Sequence, residues 1–290
     1  MQRASFRAAL EAERPLVTPL AHDALSARLI ERAGFKAFAI GGSALLASRH
    51  AIPDIGLIGM TDMVGGIRDI AAATALPFLA DADDGYGDVK ATARTVAAYE
   101  RLGVGVVLIE DQDRDRKQQR ADKAAAVVEE AVIERKLRVA MAARESAETL
   151  VFGRTDAYGA LGLDAALRRA ERFLKLGVDG VFVAGLKLAE DYERVGRTLK
   201  GAMLSAAMFE GSGTPWLSPA ALGAMGFRHV SFPVSVMFRA VAAMTEGLAA
   251  LRKHATGAQA MQPLADASAV REGLDLAVEL QRWRKIEAAP

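Results

Sequence analysis

The chain has 290 residues, with 37 Lys and Arg against 36 Asp and Glu interspersed along it, for a formal charge of +1. That balance excludes a nucleic-acid-binding surface or an acidic tail as the basis of its function. Cysteine is absent, which excludes disulfides, zinc–thiolate sites and any thiol nucleophile or acid. Half the residues are hydrophobic and few are aromatic, so a large core of Ala, Val, Leu and Ile is available. The first residues, Met1 to Arg7, hold no apolar signal core, and no apolar run is long enough to span a bilayer. A cytoplasmic protein with no membrane attachment is expected.

Short apolar strand candidates alternate with amphipathic helical stretches. The first strand reads as Leu16–Pro19, followed by a helical pattern over Asp23–Ala33 and a second strand over Ala37–Ile40. A helix over Thr61–Thr74 leads to a third strand, Phe78–Asp81, and a helix over Ala91–Leu102 to a fourth, Val104–Glu110. Lys123–Lys136 reads as the next helix and Leu150–Arg154 as the fifth strand. Then come a helix over Leu163–Leu176, a strand over Gly180–Ala184, a helix over Leu188–Leu199, and strands at Ala202–Ser205 and His229–Phe232. Gly34, Gly103 and Gly177 each stand between a helix and the next strand, where a C′ position favours glycine.

Continuous rather than alternating apolar strands argue for a parallel sheet covered on both faces. Eight of them, with helices between, fit an α/β fold of the closed (β/α)₈ TIM-barrel type. No Pro/Gly/Ser-rich linker divides the chain, so residues 1–290 are expected to form one barrel domain, with about 236–290 as a C-terminal helical extension. Within that extension Val236–Lys253 and Ser268–Ile286 read as helices, with Ser268 as an N-cap. The last helix has enough apolar surface to dock on its own barrel or on a neighbour's.

Barrel chemistry belongs at the C-terminal ends of the strands. There the third strand runs into Asp81-Ala-Asp-Asp-Gly-Tyr-Gly87, three carboxylates within four residues, and the fourth ends at Glu110-Asp111. Buried carboxylates are costly unless a positive group satisfies them, and a hard divalent cation such as Mg²⁺, or Mn²⁺ in its place, is the general solution. An Asp-rich turn capping the next helix is the plainer reading of the same motif. Gly41-Gly42-Ser43 follows the second strand, Asp54 lies on the loop leaving it, and Arg154-Thr155-Asp156 ends the fifth. The glycines let backbone N–H groups approach an anionic oxygen, and Arg154 offers a fork for a carboxylate or phosphate. Together these imply a small 2-oxo or 2-hydroxy acid chelated to the metal, and a developing enolate stabilised by a Lewis acid. His229 reads as a structural histidine in its strand, and Tyr86 as reaching substrate or packing beneath its loop.

The motifs Asp81–Gly87, Ile109–Gln112, Gly153–Ala157 and Asp23–Arg28 resemble the isocitrate lyase / phosphoenolpyruvate mutase superfamily. Gly162–Ala166 and Phe232–Ser235 extend the resemblance, which covers roughly residues 10–250. It implies a (β/α)₈ barrel, a terminal helix exchanged between subunits of a homodimer or homotetramer, and Mg²⁺. By that resemblance Asp83 ligates the metal directly, while Asp54, Asp81 and Glu110 act mostly through waters. Gly42, Ser43 and Arg154, with Gly41 and Asp81 beside them, hold the substrate.

Departures narrow the reaction. The Cys-containing loop of isocitrate and methylisocitrate lyases is replaced here by Asp113–Arg120, without Cys or His. Where those lyases carry Tyr, Glu and Asn, this chain resembles them only in position, with Ala39, Ala184 and Ala207. Three readings remain. The first is a metal-dependent lyase breaking a C–C bond of a small diacid, with oxaloacetate decarboxylation the simplest case. The second is a mutase or hydrolase acting on the P–C bond of a phosphonopyruvate-like substrate, in which Arg116, Lys117 and Gln118 grip the phosphoryl group. The third is a non-catalytic small-acid binder.

Overall fold

The computed structural model describes residues 3–117, 126–257, 260 and 262–289. Helix α1 (Phe6–Ala12) precedes β1 (Leu16–Pro19) and carries Ser5 as N-cap, its hydroxyl accepting from the Ala8 N–H. Next come α2 (Ala24–Arg32), β2 (Phe38–Ile40), α3 (Gly42–His50), α4 (Met60–Ala73) and β3 (Phe78–Asp81). They are followed by α5 (Val89–Arg101), β4 (Val106–Glu110), a 3₁₀ turn at Arg114–Arg116, α6 (Glu130–Ala143) and β5 (Leu150–Thr155). The second half holds α7 (Ala157–Leu161), α8 (Leu163–Lys175), β6 (Gly180–Val183), α9 (Ala189–Thr198) and β7 (Leu204–Ala207). It ends with α10 (Pro219–Ala224), β8 (Phe227–Phe232), α11 (Ser235–Ala255), α12 (Ala267–Ala277) and α13 (Leu280–Glu287).

The eight strands are all parallel and run in the order β1-β8-β7-β6-β5-β4-β3-β2. A bridge between Leu20 and Ala39, with the Ala21 N–H donating to the Ala39 carbonyl at 2.9 Å, brings β1 against β2 and closes the ring. This is the (β/α)₈ barrel expected from the strand count. Alternation along each strand sends one set of side chains outward to the helices and the other into the barrel. Phe38, Phe78, Ile109, Val151 and Val181 join the outer core, while Leu79, Leu108, Phe152 and Phe182 fill the interior. Phe6 and Leu10 of α1 belong to that interior cluster, and a Cβ on Gly105, just before β4, would lie 2.6 Å from the Phe6 Cβ. The short α1 therefore plugs the N-terminal end, leaving the other end open for chemistry.

Most strand boundaries fall within two residues of those read from sequence; the last helical stretch does not. Ser268–Ile286 is two helices, α12 and α13, broken at Glu279, which has φ 56°, and the N-cap of α12 is Asp266 rather than Ser268. The helix expected over Lys123–Lys136 is found at Glu130–Ala143, and residues 118–125 lie outside the described residues. Helix α12 packs on α2, and Arg28 reaches Glu279 at 2.7 Å.

His229 lies inside the barrel, where Thr18 Oγ1 and Ser205 Oγ bond its two ring nitrogens at 2.8 Å each. Burial lowers its pKa to about 4, so the folded protein holds it neutral. An unfolded chain binds that proton near pH 6.5. The contribution is therefore full above about pH 6.5 and falls as pH drops toward 4, by about 3 kcal/mol. Denaturant unfolding should show that loss in the wild type, and His229→Gln should lose about 3 kcal/mol less over the same interval; equal losses would contradict the assignment.

Candidate active site

The alternation that fills the barrel also chooses what faces its mouth. On β3, Leu79 points inward, so Asp81 two residues on does as well. On β4, Leu108 inward places Glu110 inward, while Asp111 turns out to Arg169 of α8 at 3.0 Å. On β5, Phe152 inward brings Arg154 to the same rim. Glu110 and Arg154 are register partners on adjacent strands, and Arg154 Nη1 meets Glu110 Oε2 at 2.8 Å. The other Arg154 terminal nitrogen donates to Asp156 at 2.7 Å, and its buried Nε has no acceptor among the described residues.

Beyond β3 the chain makes a strained turn. Asp83 and Tyr86 take φ of 50° and 60°, a left-handed backbone costing on the order of 1–2 kcal/mol for a residue with a Cβ. A Cβ on Gly85 (φ 87°) would stand 2.4 Å from Thr92 Oγ1, so only glycine fits that close approach. The turn is held by the Asp83 N–H donating to Asp81 Oδ1 and the Tyr86 N–H to Asp84 Oδ1, both at 3.0 Å. Lys136 of α6 donates to the Asp84 carbonyl at 2.8 Å and to its carboxylate at 2.9 Å. Asp84 is therefore a structural anchor, and Asp83 is the carboxylate left to face the mouth. Tyr86 packs beneath the loop, its hydroxyl 3.1 Å from that of Tyr99, which donates to the Asp81 carbonyl.

The cluster Asp54, Asp81, Asp83 and Glu110 is gathered around the Lys117 ammonium. Lys117 Nζ stands 3.1 Å from Asp54 and 3.5 Å from Glu110 and bonds Asp83 directly. Its side chain is only 11% exposed. Burial alone would raise the Asp83 pKa, but the Lys117 charge and hydrogen bond outweigh it and hold the carboxyl below its ordinary range. For Asp81 and Glu110 burial wins, and both are raised in spite of Arg154 and Lys117. Burial opposes the charge on Lys117, yet Glu110, Asp83 and Asp54 push its pKa up.

Arg114 is a participant that the sequence reading missed. It bonds Asp83 at 2.9 Å and Asp84 at 3.3 Å, and its other terminal nitrogen reaches the carbonyls of Gly56 and Ile58. Nothing in the Asp113–Lys117 run says which basic residue turns inward. Arg116, an expected phosphoryl-gripping residue, is not brought to the cluster: its side chain is 65% exposed and paired with Asp113 at 2.6 Å. Gln118 lies outside the described residues.

Across the mouth, Gly41 is the N-cap of α3, so Gly42 and Ser43 present first-turn N–H groups that a helix leaves without internal partners. Such an end suits an anion. Gly41, Ser43, Asp54, Asp81, Lys117 and Arg154 all line one cavity of about 420 Å³. Hard oxygen donors on four neighbouring side chains are the chemistry of a Mg²⁺ or Mn²⁺ site. Asp54 Oδ1 and Glu110 Oε2 face cations at 3.1 and 2.8 Å but accept no well-directed hydrogen bond, which leaves lone pairs for another partner. Among the described residues no three His, Asp or Glu side chains converge at metal-ligand spacing. The carboxylates lean instead on Lys117 and Arg154.

Comparison with known proteins gives the cluster a context. Residues 6–252 match the family model for phosphoenolpyruvate phosphomutase. The chain is 34% identical to the 2,3-dimethylmalate lyase of Eubacterium barkeri over 98% of its own length and 96% of the relative's. It is 36% identical to a probable 2-methylisocitrate lyase of Corynebacterium glutamicum, over 88% and 83% of the two chains. Among solved structures it is similar to oxaloacetate acetylhydrolase in complex with 3,3-difluorooxalacetate, with a TM-score of 0.89, 28% identity and coverage of 98% and 95%. It is also similar to phosphonopyruvate hydrolase holding oxalate and Mg²⁺, with a TM-score of 0.80, 25% identity and coverage of 97% and 96%.

Removing the lysine charge should expose the cluster's demand for a cation. In metal-free buffer Lys117→Met should lose about 3–5 kcal/mol of stability, as breaking a buried ion pair does. Added Mg²⁺ should then stabilise the variant more than the wild type, because it has no ammonium to displace. Denaturant titrations with chelator and with Mg²⁺ measure both effects; equal responses to the metal would contradict the shared position.

Proposed function

The chain belongs to the phosphoenolpyruvate phosphomutase family, and on that footing we propose that it is a divalent-metal-dependent lyase. It breaks a C–C bond of a small 2-oxo or 2-hydroxy diacid through an enolate. The observation that carries the reading is the acidic cluster around Lys117: Asp54 and Asp81 line one cavity with the α3 N-terminus and Arg154, and Asp83 and Glu110 adjoin it through Lys117 and Arg154. Asp83 would hold the metal directly, with Asp54, Asp81 and Glu110 acting mostly through waters. The bound metal supplies Lewis-acid stabilisation of the negative charge that develops on the substrate's 2-oxygen.

The chain's own residues do the rest. Arg154 and the N–H groups of Gly42 and Ser43 orient the C1 carboxylate, as a fork and a helix end do for an anion. Lys117 and Arg154 keep the cluster neutralised before substrate arrives. Enolate formation needs no thiol, which agrees with the absence of cysteine.

The phosphonate alternative has weaker support. Arg116 faces solvent and Lys117 is engaged by carboxylates, so neither offers a free grip on a phosphoryl group. Two relatives, similar over 98% and 88% of this chain, carry the names of lyases.

The protein is further proposed to act as a homodimer or homotetramer. Val241, Met244, Leu248 and Leu251 of α11 stand about half exposed or more, as do Leu274 of α12 and Trp283 of α13. Apolar residues so concentrated mark a contact surface, and a second copy is the proposed occupant. Among the described residues no helix is long and apolar enough to cross a membrane.

Purified protein in Mg²⁺ should release pyruvate from oxaloacetate or from 2,3-dimethylmalate, and not from phosphonopyruvate. Asp83→Ala should lower that rate about 10²–10³-fold, the scale of losing a principal electrostatic stabiliser. Pyruvate release from phosphonopyruvate alone, or activity that survives Asp83→Ala, would overturn the reading.

A further inference from the structure

The mouth is divided into two chemically unlike halves. Asp81, Asp83, Glu110 and Arg154 come from the ends of β3, β4 and β5, and Asp54 and the anion-facing helix end follow β2. On the opposite side, the inward positions at the ends of β6 and β7 are Ala184 and Ala207, and Ala39 stands inward on β2 beneath the helix end. Ala39 and Ala207, with Phe182, Phe209 and Val234, make an apolar wall to the cavity that Arg154 and Asp81 line from the other side. Val234 follows β8 and Phe209 follows β7, so the wall is built from separate strand ends rather than one exposed residue.

We infer that the substrate is an amphiphilic 2-oxo or 2-hydroxy acid that carries an alkyl arm longer than methyl, seated on the β6–β8 side of the mouth. The inference rests on the proposed acid chemistry at the cluster and adds the class of substituent. The cavity, of about 420 Å³, is larger than an unsubstituted four-carbon acid fills. A short, wholly polar acid would leave water against Ala207, Phe182 and Phe209, whereas an alkyl arm removes that apolar surface from water. The alanines leave the room, and the phenyl rings of Phe182 and Phe209 supply the contact. Among the described residues that line the cavity, the charged and amide side chains Asp54, Asp81, Gln112, Lys117 and Arg154 all come from the β2–β5 side, and the hydroxyl on the β6–β8 side is Ser231.

The test is equilibrium binding of product-like acids to the wild-type protein in Mg²⁺, followed by calorimetry. The probes are oxalate, pyruvate, 2-oxobutanoate, 2-oxopentanoate and 2-oxohexanoate. Each buried methylene should tighten binding about fourfold, from ~0.8 kcal/mol per CH₂, so the longest acid should exceed pyruvate by tens-fold. Ala207→Leu, with Val234→Phe as a second variant should the first fail to fold, should cut that ratio at least tenfold. Binding of oxalate and pyruvate with flat or falling affinity along the series would overturn this inference and leave the proposed function standing. No metal-dependent binding of any of the acids would overturn both.

Discussion

Four carboxylates meet at one barrel mouth, and the rest of the site is arranged around their need for positive charge. Such groups repel one another and lose hydration when buried, so they persist only when cations stand among them. Lys117 and Arg154 do this from opposite sides, one from the loop after β4 and the other from the end of β5. Arg114 and Lys136 hold the neighbouring Asp84 and so fix the turn from below. The strain in that turn is concentrated at Asp83 and Tyr86. Backbone in a sparsely populated region persists where surrounding structure over-determines it, and here the surrounding structure is three cations, Arg114, Lys117 and Lys136, with Tyr99.

The barrel makes this arrangement by a simple rule. Strand alternation puts every second residue inside, and the last inward residue of each strand becomes part of the mouth. Three consecutive strands end in Asp81, Glu110 and Arg154, whereas the next two end in Ala184 and Ala207. The divided mouth follows from that order of residues without any special loop conformation. The plug of α1 at the opposite end and the hydrogen-bonded His229 below the mouth stiffen the floor on which the site stands.

Much of this was legible in the sequence because it depends on period and position. The strand ends at Asp81, Glu110 and Arg154 could be read from apolar runs that stop at charged residues, and the alternation then fixed their direction. Helices with few residues or little amphipathic contrast were not legible: α1, α3 and α10 have no long apolar stripe, and their places are set by packing. The break between α12 and α13 at Glu279 also carries no glycine or proline signal. Within the basic run after β4, sequence placed cations near the mouth but could not separate Arg114 and Lys117, which turn inward, from Arg116, which does not. That choice is made by the 3₁₀ turn at Arg114–Arg116 and by acids distant in sequence.

The central claim is that the acidic cluster is a site for one divalent cation shared with a chelating acid. Titration with Mn²⁺, followed by electron paramagnetic resonance, tests it most directly, with the wild type compared with Asp83→Asn in the presence and absence of oxalate. The account predicts one site per chain that oxalate tightens and that Asp83→Asn weakens at least tenfold. Mn²⁺ binding that is absent, or indifferent both to oxalate and to Asp83, would contradict it.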